Sequence, residues 1–426
     1  MGAIRLHSVF NDGLCNVGDK RGALAGIQQE EDVRPSILTD NFFECLESSV
    51  LPIENAETLP PECYTDRDFY ELEKQALFNH EWLCVGRESD IPNAGDFFTT
   101  HIVDEPIIVV RNKSGEVKAL SAVCQHRAML VAEGKGNKRA FRCPYHHWTY
   151  SLDGALLKGP AMEATCNFSE ADYGLPSFAV EIWLGFVFIN FDTEAPALSP
   201  RLKAVEETIA NYDLASAASL PPETVTFDWN WKVQFENNND GYHANRLHQG
   251  KNHDFCPSHL CSFPQMPPDT AGYTRVNGLT HKDASFNPTQ KALHPVFPKL
   301  TDEDRHMFYF ANVPPTLSLV LTPEMVFYLI VRATGPEVHE MDTGLLFAPG
   351  ATEHPEFETR LEQSWLTGSE IMAQDQHVDK LVQIGLRSRH AARGRYSWQE
   401  GAQQQLNAWL VPRYRAAWQR LKQAAA

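Results

Sequence analysis

Four side chains suited to metal binding stand in two matched pairs, Cys124-Gln125-His126 and Cys143-Pro144-Tyr145-His146, with sixteen residues between the pairs. Two thiols and two imidazoles at these spacings make a four-ligand metal site. Zinc accepts that donor set. The order of the ligands separates the readings. A zinc finger places both cysteines before both histidines, whereas here each pair supplies one of each. Mixed pairs suit a two-iron, two-sulfur cluster in which one iron takes both thiolates and the other both imidazoles. Each loop then reaches across the cluster and serves both irons. Neutral imidazoles in place of thiolates raise the reduction potential, so the cluster can take an electron from a low-potential donor and pass it on. Gly134 and Gly136 permit tight turns between the loops, and Pro144 stiffens the second. Cys15, Cys45, Cys63, Cys84, Cys166, Cys256 and Cys261 show no paired spacing and read as free thiols.

A second group follows Asn230-Trp231-Lys232: Glu236-Asn-Asn-Asn-Asp240-Gly-Tyr242-His243-Ala-Asn-Arg-Leu-His248. On one continuous helix the two imidazoles would stand about 140° apart around the axis. They straddle one metal only if the helix bends or the rings reach inward. Two histidines and a carboxylate leave open positions on an iron for dioxygen. Taken alone, the pair is a weak signal and more often describes two surface histidines. Tyr242 and Asn237 are candidates to line such a site. His253, His259, His281 and His294 fall in a loop-rich region and read as surface residues.

The elements that must position these groups are legible in outline. Residues up to about Pro60 read as an arm over the surface or against a neighbouring subunit. Asp66 to Trp82 reads as a helix, with Phe69, Leu72, Leu77, Phe78 and Trp82 at roughly helical spacing. Cys84 to Gly86 opens the next unit. From Phe97 to Phe191 short apolar runs (Pro106–Val110, Phe178–Val180, Phe186–Phe191) alternate with turn signals at Lys113–Gly115, Gly134–Asn137 and Asp153–Gly154. This describes a small all-β domain with the metal-type residues on two loops. Beyond it the sequence suggests a helix within 192–220, a strand at Thr226–Lys232, a helix carrying both histidines, a strand at Met325–Arg332 and a helix at Phe357–Leu386. The expected fold class is α+β. The expected domains are an arm and helix at 1–80, an all-β cluster domain at 81–192, and an α+β catalytic domain at 193–426.

The chain has 426 residues, enough for two or three domains, with 43% hydrophobic and 22% charged residues. A net charge of −18 argues against nucleic acid or an anionic membrane as partner. From Lys380 to Ala426 nine Lys or Arg residues face one acid, Glu400, which reads as a solvated helix face or a surface for an acidic electron donor. No apolar run approaches the roughly 18 residues of a membrane helix. Met1 to Asp19 lacks a signal-peptide core. Nine scattered cysteines are not a disulfide framework, which suits a reducing cytoplasm. The chain has no GxGxxG nucleotide fingerprint, so electrons from NADH or NADPH are expected through a separate reductase.

Cys124-Gln125-His126-Arg127 with Cys143-Pro144-Tyr145-His146-His147-Trp148-Thr149-Tyr150 resembles the Rieske motif of the aromatic ring-hydroxylating oxygenase α subunits, which are Rieske non-haem iron enzymes. The resemblance runs from about Cys63 to the last helix. It implies Cys124, His126, Cys143 and His146 as ligands of one Rieske [2Fe-2S] cluster. The family usually has glycine where this chain has His147, a departure that bears on the loop backbone and on cluster exposure. The run from Glu236 to His248 is similar to the family's mononuclear-iron motif in the form Glu-Asn-X-X-Asp-Gly-Tyr-His. This implies His243 and His248 as Fe(II) ligands, and Asp240 as an acidic bridge to the Rieske histidine of the neighbouring subunit, the counterpart of His146. The family places the carboxylate ligand about 130 residues downstream, ahead of a Gln-X-Gly-Leu segment. Of Glu370, Asp375 and Asp379, Asp375 matches best, with Gln383-Ile384-Gly385-Leu386 following.

The resemblance further implies a catalytic domain built on a central antiparallel sheet flanked by helices, of the helix-grip type. It implies O2 as co-substrate, an external reductase, a ferredoxin in some members, a head-to-tail homotrimer and, in some members, a small β subunit. The reaction is then dihydroxylation, monohydroxylation or oxidative demethylation of a small organic substrate. The benzoate-type form of the motif points to an aromatic carboxylate. A quaternary amine such as a betaine is the alternative, enclosed by aromatic residues such as Phe235, Tyr273, Phe308 and Tyr328. A Rieske electron-transfer protein is the alternative from another class, with roughly two irons per chain in place of three.

Overall fold

The apolar runs after Trp82 pair as strands because their short length and β-branched content suit half-buried sheet faces. A computed structural model of the protein describes residues 36–251 and 254–425. Much of the expected N-terminal arm, Cys15 and His253 lie outside these residues. Strands β1 to β10 span Leu83–Arg87, Asp96–Ile102, Glu105–Arg111, Val117–Ser121, Lys135–Asn137, Phe141–Arg142, Thr149–Tyr150, Leu156–Lys158, Ser177–Trp183 and Phe186–Asn190. Seven of them form an antiparallel sheet in the order β1-β10-β9-β4-β3-β2-β5, and β6-β7-β8 form a smaller one. One cluster loop lies between β4 and β5, the other between β6 and β7. Phe97, Ile108, Val110, Leu120, Phe141, Trp148 and Tyr150 make the core beneath them.

The second sheet has eight strands, β11 to β18: Ala218–Ser219, Glu223–Phe227, Cys261–Ser262, Tyr273–Gly278, Met307–Val313, Leu317–Leu321, Met325–Gly335 and Val338–Phe347. Their order is β11-β18-β17-β16-β15-β14-β13, with β12 also on β18. Helices α1 to α8 are Asp40–Cys45, Glu62–Thr65, Arg67–Glu73, Ser199–Ile209, Trp231–Asn239, Gly241–Ala244, Phe357–Leu386 and Gly401–Ala425. The fold is thus α+β, as expected. On one sheet face Arg275, Phe310, Val320 and Phe327 are successive cross-strand neighbours. Above that row lie α5, α6 and an inward stripe of α7, Gly368, Ile371, Met372, Asp375 and Asp379. Steps of three and four residues put these on one side of the helix.

Two expected elements away from the histidine pair differ. The Asp66–Trp82 helix is shorter. Asp66 caps α3 by accepting the Phe69 N–H at 3.0 Å, and the helix passes into a π-helical turn, Lys74–Phe78. The wider turn shifts the periodicity and ends the helix. Trp82 lies beyond, its indole N–H donating to the Pro196 carbonyl at 2.9 Å. The strand expected at Thr226–Lys232 stops at Phe227. The Asn230 side chain accepts the Lys232 N–H at 2.8 Å and starts α5.

Helices α3, α5 and α8 meet at a buried ion pair. Lys232 Nζ lies 2.8 Å from Glu73 Oε1, and both side chains are 0% exposed. The Tyr414 hydroxyl donates to Glu73 at 2.6 Å and the Trp231 indole at 3.3 Å. Removing the lysine strands a buried carboxylate. Lys232→Met is expected to cost about 3–5 kcal/mol, read as a fall in the denaturation midpoint. A loss under about 1 kcal/mol, typical of a surface pair, would show that the pair does not hold these helices together. Among the described residues no helix is long and apolar enough to cross a membrane.

Candidate metal centres

Helix α5 is held at its end. The Asn239 and Asn312 side-chain amides bond reciprocally at 3.0 and 2.7 Å, and Arg275 Nη1 donates to the Asn239 carbonyl at 2.9 Å. Asp240 then leaves the helix in extended geometry and caps α6. Its Oδ1 accepts the Tyr242 N–H at 2.5 Å and the His243 N–H at 3.4 Å. The continuous helix expected to carry both histidines is therefore broken: α6 ends at Ala244 and His248 lies in the turn that follows. The break brings the two Nε2 atoms within 3.2 Å of each other. From α7, Asp375 Oδ1 approaches His248 Nε2 at 3.0 Å and His243 Nε2 at 3.5 Å.

Three electron-pair donors converging this closely repel one another unless a cation lies among them. Asp375 Oδ1 is closed to solvent and takes no hydrogen bond from any group outside the two imidazoles. Burial opposes a charge on His248, yet Asp375 overrides it, with help from Gln374, and raises its pKa. The site already favours positive charge. The far side of each ring is also held: His243 Nδ1 lies 3.1 Å from Asp240 Oδ2, and His248 Nδ1 lies 2.9 Å from Gln374 Oε1. Such partners fix the ring orientation that ligation needs. Two nitrogens and one carboxylate oxygen fit a divalent transition metal such as iron.

The two cluster loops share one backbone pattern. The Cys124 N–H donates to the Met129 carbonyl at 2.9 Å and the Ala128 N–H to the Cys124 carbonyl at 3.0 Å. In the second loop the Cys143 N–H donates to the Trp148 carbonyl at 2.8 Å and the His147 N–H to the Cys143 carbonyl at 3.0 Å. Both cysteines are buried, and His126 and His146 stand exposed with ring centroids 4.6 Å apart. His126 stacks on Trp148 at 4.9 Å. The Tyr150 hydroxyl accepts the Gln125 N–H at 3.0 Å, leaving its own proton for Cys124 Sγ at 3.2 Å. Sulfur donors inside and nitrogen donors outside fit a cluster with one buried and one surface iron.

Residues 81–179 match the Rieske [2Fe-2S] domain, and residues 211–416 match the ring hydroxylating alpha subunit (catalytic domain). The glycine betaine monooxygenase oxygenase subunit of Pseudomonas aeruginosa is 35% identical over 196 residues, 46% of this chain and 46% of that protein. The carnitine monooxygenase oxygenase subunit of Acinetobacter baumannii is 30% identical over 271 residues, 61% of this chain and 69% of that protein. The chain belongs to the Rieske non-haem iron oxygenase α subunits. Naphthalene 1,2-dioxygenase from Rhodococcus sp. shares the fold, with a TM-score of 0.75 over 89% of this chain and 99% of that one at 19% identity. The chain spans about half the length of the first curated relatives it matches. A Rieske oxygenase α subunit carries a Rieske cluster and a mononuclear iron, and this chain presents a donor set for each.

Within this chain the other acidic candidates stand apart from the convergence. Glu370 faces outward and pairs with Lys251. Asp379 follows Asp375 by one turn. Burial first, then the Asp375 charge, pushes it up to about 8 against a hydrogen bond from Asn237. Asn237 lines the pocket, whereas Tyr242 is 54% exposed. Phe235, Tyr273, Phe308 and Tyr328 are buried in the core and none lines the pocket; its aromatic wall is Phe286, Phe310 and Phe327. Period-2 alternation separates Phe327 from Tyr328, and no sequence signal says which side of β17 faces the site. His294, expected at the surface, is buried between Phe347 and Phe357, and His281 Nε2–H donates to the Gln290 carbonyl at 2.7 Å.

His147 takes the left-handed conformation, φ 61°, as Ala128 does at φ 56° in the matching place of the first loop. Its ring turns away to Arg142, 2.8 Å from Nη2. A glycine there relieves about 1–2 kcal/mol of strain and adds about 0.5–1 kcal/mol of chain entropy cost. His147→Gly is therefore expected to shift stability by no more than about 1 kcal/mol and to keep the Rieske absorption and electron paramagnetic resonance signals. His146→Ala is expected to lose them. A bleached His147→Gly protein would make His147 the ligand.

Proposed function

We propose that the protein is an oxygenase that uses O2 to hydroxylate or dihydroxylate a small organic substrate. The observation that carries this is the convergence of His243, His248 and Asp375 at one pocket. In this reading these three hold Fe(II), and Cys124, His126, Cys143 and His146 hold the Rieske cluster. Residues 81–192 serve as the cluster domain and 193–426 as the iron domain. Bound iron supplies dioxygen binding and stepwise acceptance of electrons. The protein's own part is positional. Phe310, Val320 and Phe327 form a dry floor that holds the apolar part of the substrate and excludes water. Asp240 and Gln374 fix the two rings. Exposed His126 and His146 give electrons a short way out of the cluster, and partly exposed Asp240 offers them a way in at a neighbouring copy, in a head-to-tail trimer. A reductase drawing on NAD(P)H, with or without a ferredoxin, supplies them in the cytoplasm.

An aromatic carboxylate is the first substrate reading. The relatives whose names specify glycine betaine and carnitine favour a second, a betaine-type quaternary amine. Roughly three irons per chain, against roughly two for a Rieske electron-transfer protein, and oxygen uptake with aromatic carboxylates or methylated amines in the presence of a reductase are the expected results. A diol or phenol product supports ring oxidation, and formaldehyde supports demethylation. Protein that holds its cluster but never a third iron would overturn the oxygenase reading.

A further inference from the structure

We propose that Arg275 is the carboxylate anchor of the substrate pocket, so that this enzyme selects small carboxylates over counterparts that lack the carboxylate. The inference rests on reading this pocket as the oxygenase's substrate site. Arg275 lies on β14 and is 5% exposed. Its guanidinium stacks over its cross-strand neighbour Phe310, 3.9 Å from the ring centre. Nη1 donates to the Asn239 carbonyl, while the buried Nε has no hydrogen-bond partner. Among the described residues no carboxylate lies within ion-pair reach of it. Buried arginines are ordinarily paired, because stripping water from a charge is costly. Arg332 shows the usual arrangement in this same sheet, forked onto Asp342.

Stacking alone does not make an anchor. Arg87 stacks on Phe186 at 4.5 Å, also with unpartnered nitrogens, and lines no part of this pocket. Arg275 does line it, and is the one Lys or Arg among the described lining residues. Its neighbours along the floor, Phe310, Val320 and Phe327, offer a ligand no polar group. Of the lining carboxylates, Asp240 and Asp375 are turned to His243 and His248, and Asp379 takes a hydrogen bond from Asn237. A carboxylate entering the pocket thus meets a planar fork of N–H donors with spare capacity, in a medium where charge-assisted hydrogen bonds are strong. At this end of the pocket a cation without a carboxylate meets like charge. The fork also lies close to the metal site along the chain: a Cβ at Gly241 would stand 3.5 Å from the Arg275 guanidinium carbon, and Gly241 is two residues from His243. An acid held there has its apolar remainder on the floor beneath the ligand-bearing helices.

The test is calorimetric titration of the iron-loaded protein without oxygen, using two pairs of probes: benzoate against benzamide, and carnitine against choline. The acid of at least one pair is expected to bind about 10-fold or more tighter than its counterpart, and which pair responds distinguishes aromatic from betaine-type acids. Arg275→Gln is expected to weaken that acid by about 10–100-fold, the worth of a hydrogen bond to a charged group, and the counterpart lacking the carboxylate by no more than about 3-fold. Arg275→Lys keeps the charge without the fork and falls between. Iron content and melting temperature accompany each variant. If Arg275→Gln fails to fold, the wild-type pairs and Arg275→Lys still decide. Equal binding of acid and carboxylate-free partner in both pairs, equal weakening of both in the variant, or failure of both acids to bind would overturn the proposal. Protein that binds acids through Arg275 yet consumes no oxygen would refute the oxygenase reading and leave this one standing.

Discussion

Asp375→Ala protein is expected to purify with its Rieske spectrum intact, roughly one iron fewer per chain, and product formation down at least about 10³-fold. The expectation follows from geometry. Asp375 Oδ1 lies within 3.5 Å of both imidazole Nε2 atoms, and two neutral histidines alone bind a divalent iron weakly and leave its charge uncompensated. The cluster loops lie in a different sheet and share no residue with this site, so their spectrum should not respond. Glu370→Ala serves as the control: Glu370 reaches Lys251 on the outer side of α7, and its loss should leave iron and turnover unchanged. Asp375→Glu keeps the charge but moves the oxygen by one methylene, and is expected to recover iron only in part. Iron assay, visible absorption and oxygen uptake measure all three. Full iron and normal turnover in Asp375→Ala would remove it from the metal site.

The same residues show what a sequence can and cannot disclose. The cluster loops were legible because the chemistry is written in local spacing: Cys-X-His and Cys-X-X-His each fit within one tight turn, and the loops indeed close over six residues each. Helix α7 was legible at both ends, Phe357 and Leu386, because it is long and nothing interrupts it. The bend at Asp240 was not. Asp-Gly after three asparagines is compatible with a frayed helix or a new cap, and the choice is made by Asn312 and Arg275, which lie far along the chain on β15 and β14. The pocket floor was illegible for a related reason. Arg275, Phe310, Val320 and Phe327 come together only through strand register, and each strand taken alone offers two faces with no mark of which one meets the iron.

Asp240 carries the second large expectation, because it does two jobs that substitution can separate. As the cap of α6 it accepts the Tyr242 N–H, and as a carboxylate it faces His243 Nδ1 at 3.1 Å with its side chain 21% exposed. Asparagine caps a helix about as well as aspartate, while alanine costs about 1 kcal/mol. Asp240→Asn is therefore expected to melt close to the wild type and to keep both metals, since an amide oxygen can still orient the ring. It removes the carboxylate that, in the reading above, bridges the cluster histidine of a neighbouring copy to His243 and balances the proton on that ring, so that electrons would pass through it toward the iron site. Turnover is expected to fall by about 10–100-fold, the usual effect of losing an outer partner of a metal-bound histidine. The defect should appear as slow reoxidation of the reduced cluster in a single turnover, with substrate affinity unchanged. Asp240→Ala should show the same kinetic defect together with the capping loss. If Asp240→Asn reoxidises its cluster at the wild-type rate while Asp240→Ala is merely less stable, the carboxylate is a cap and nothing more, and electrons must reach His243 by another route.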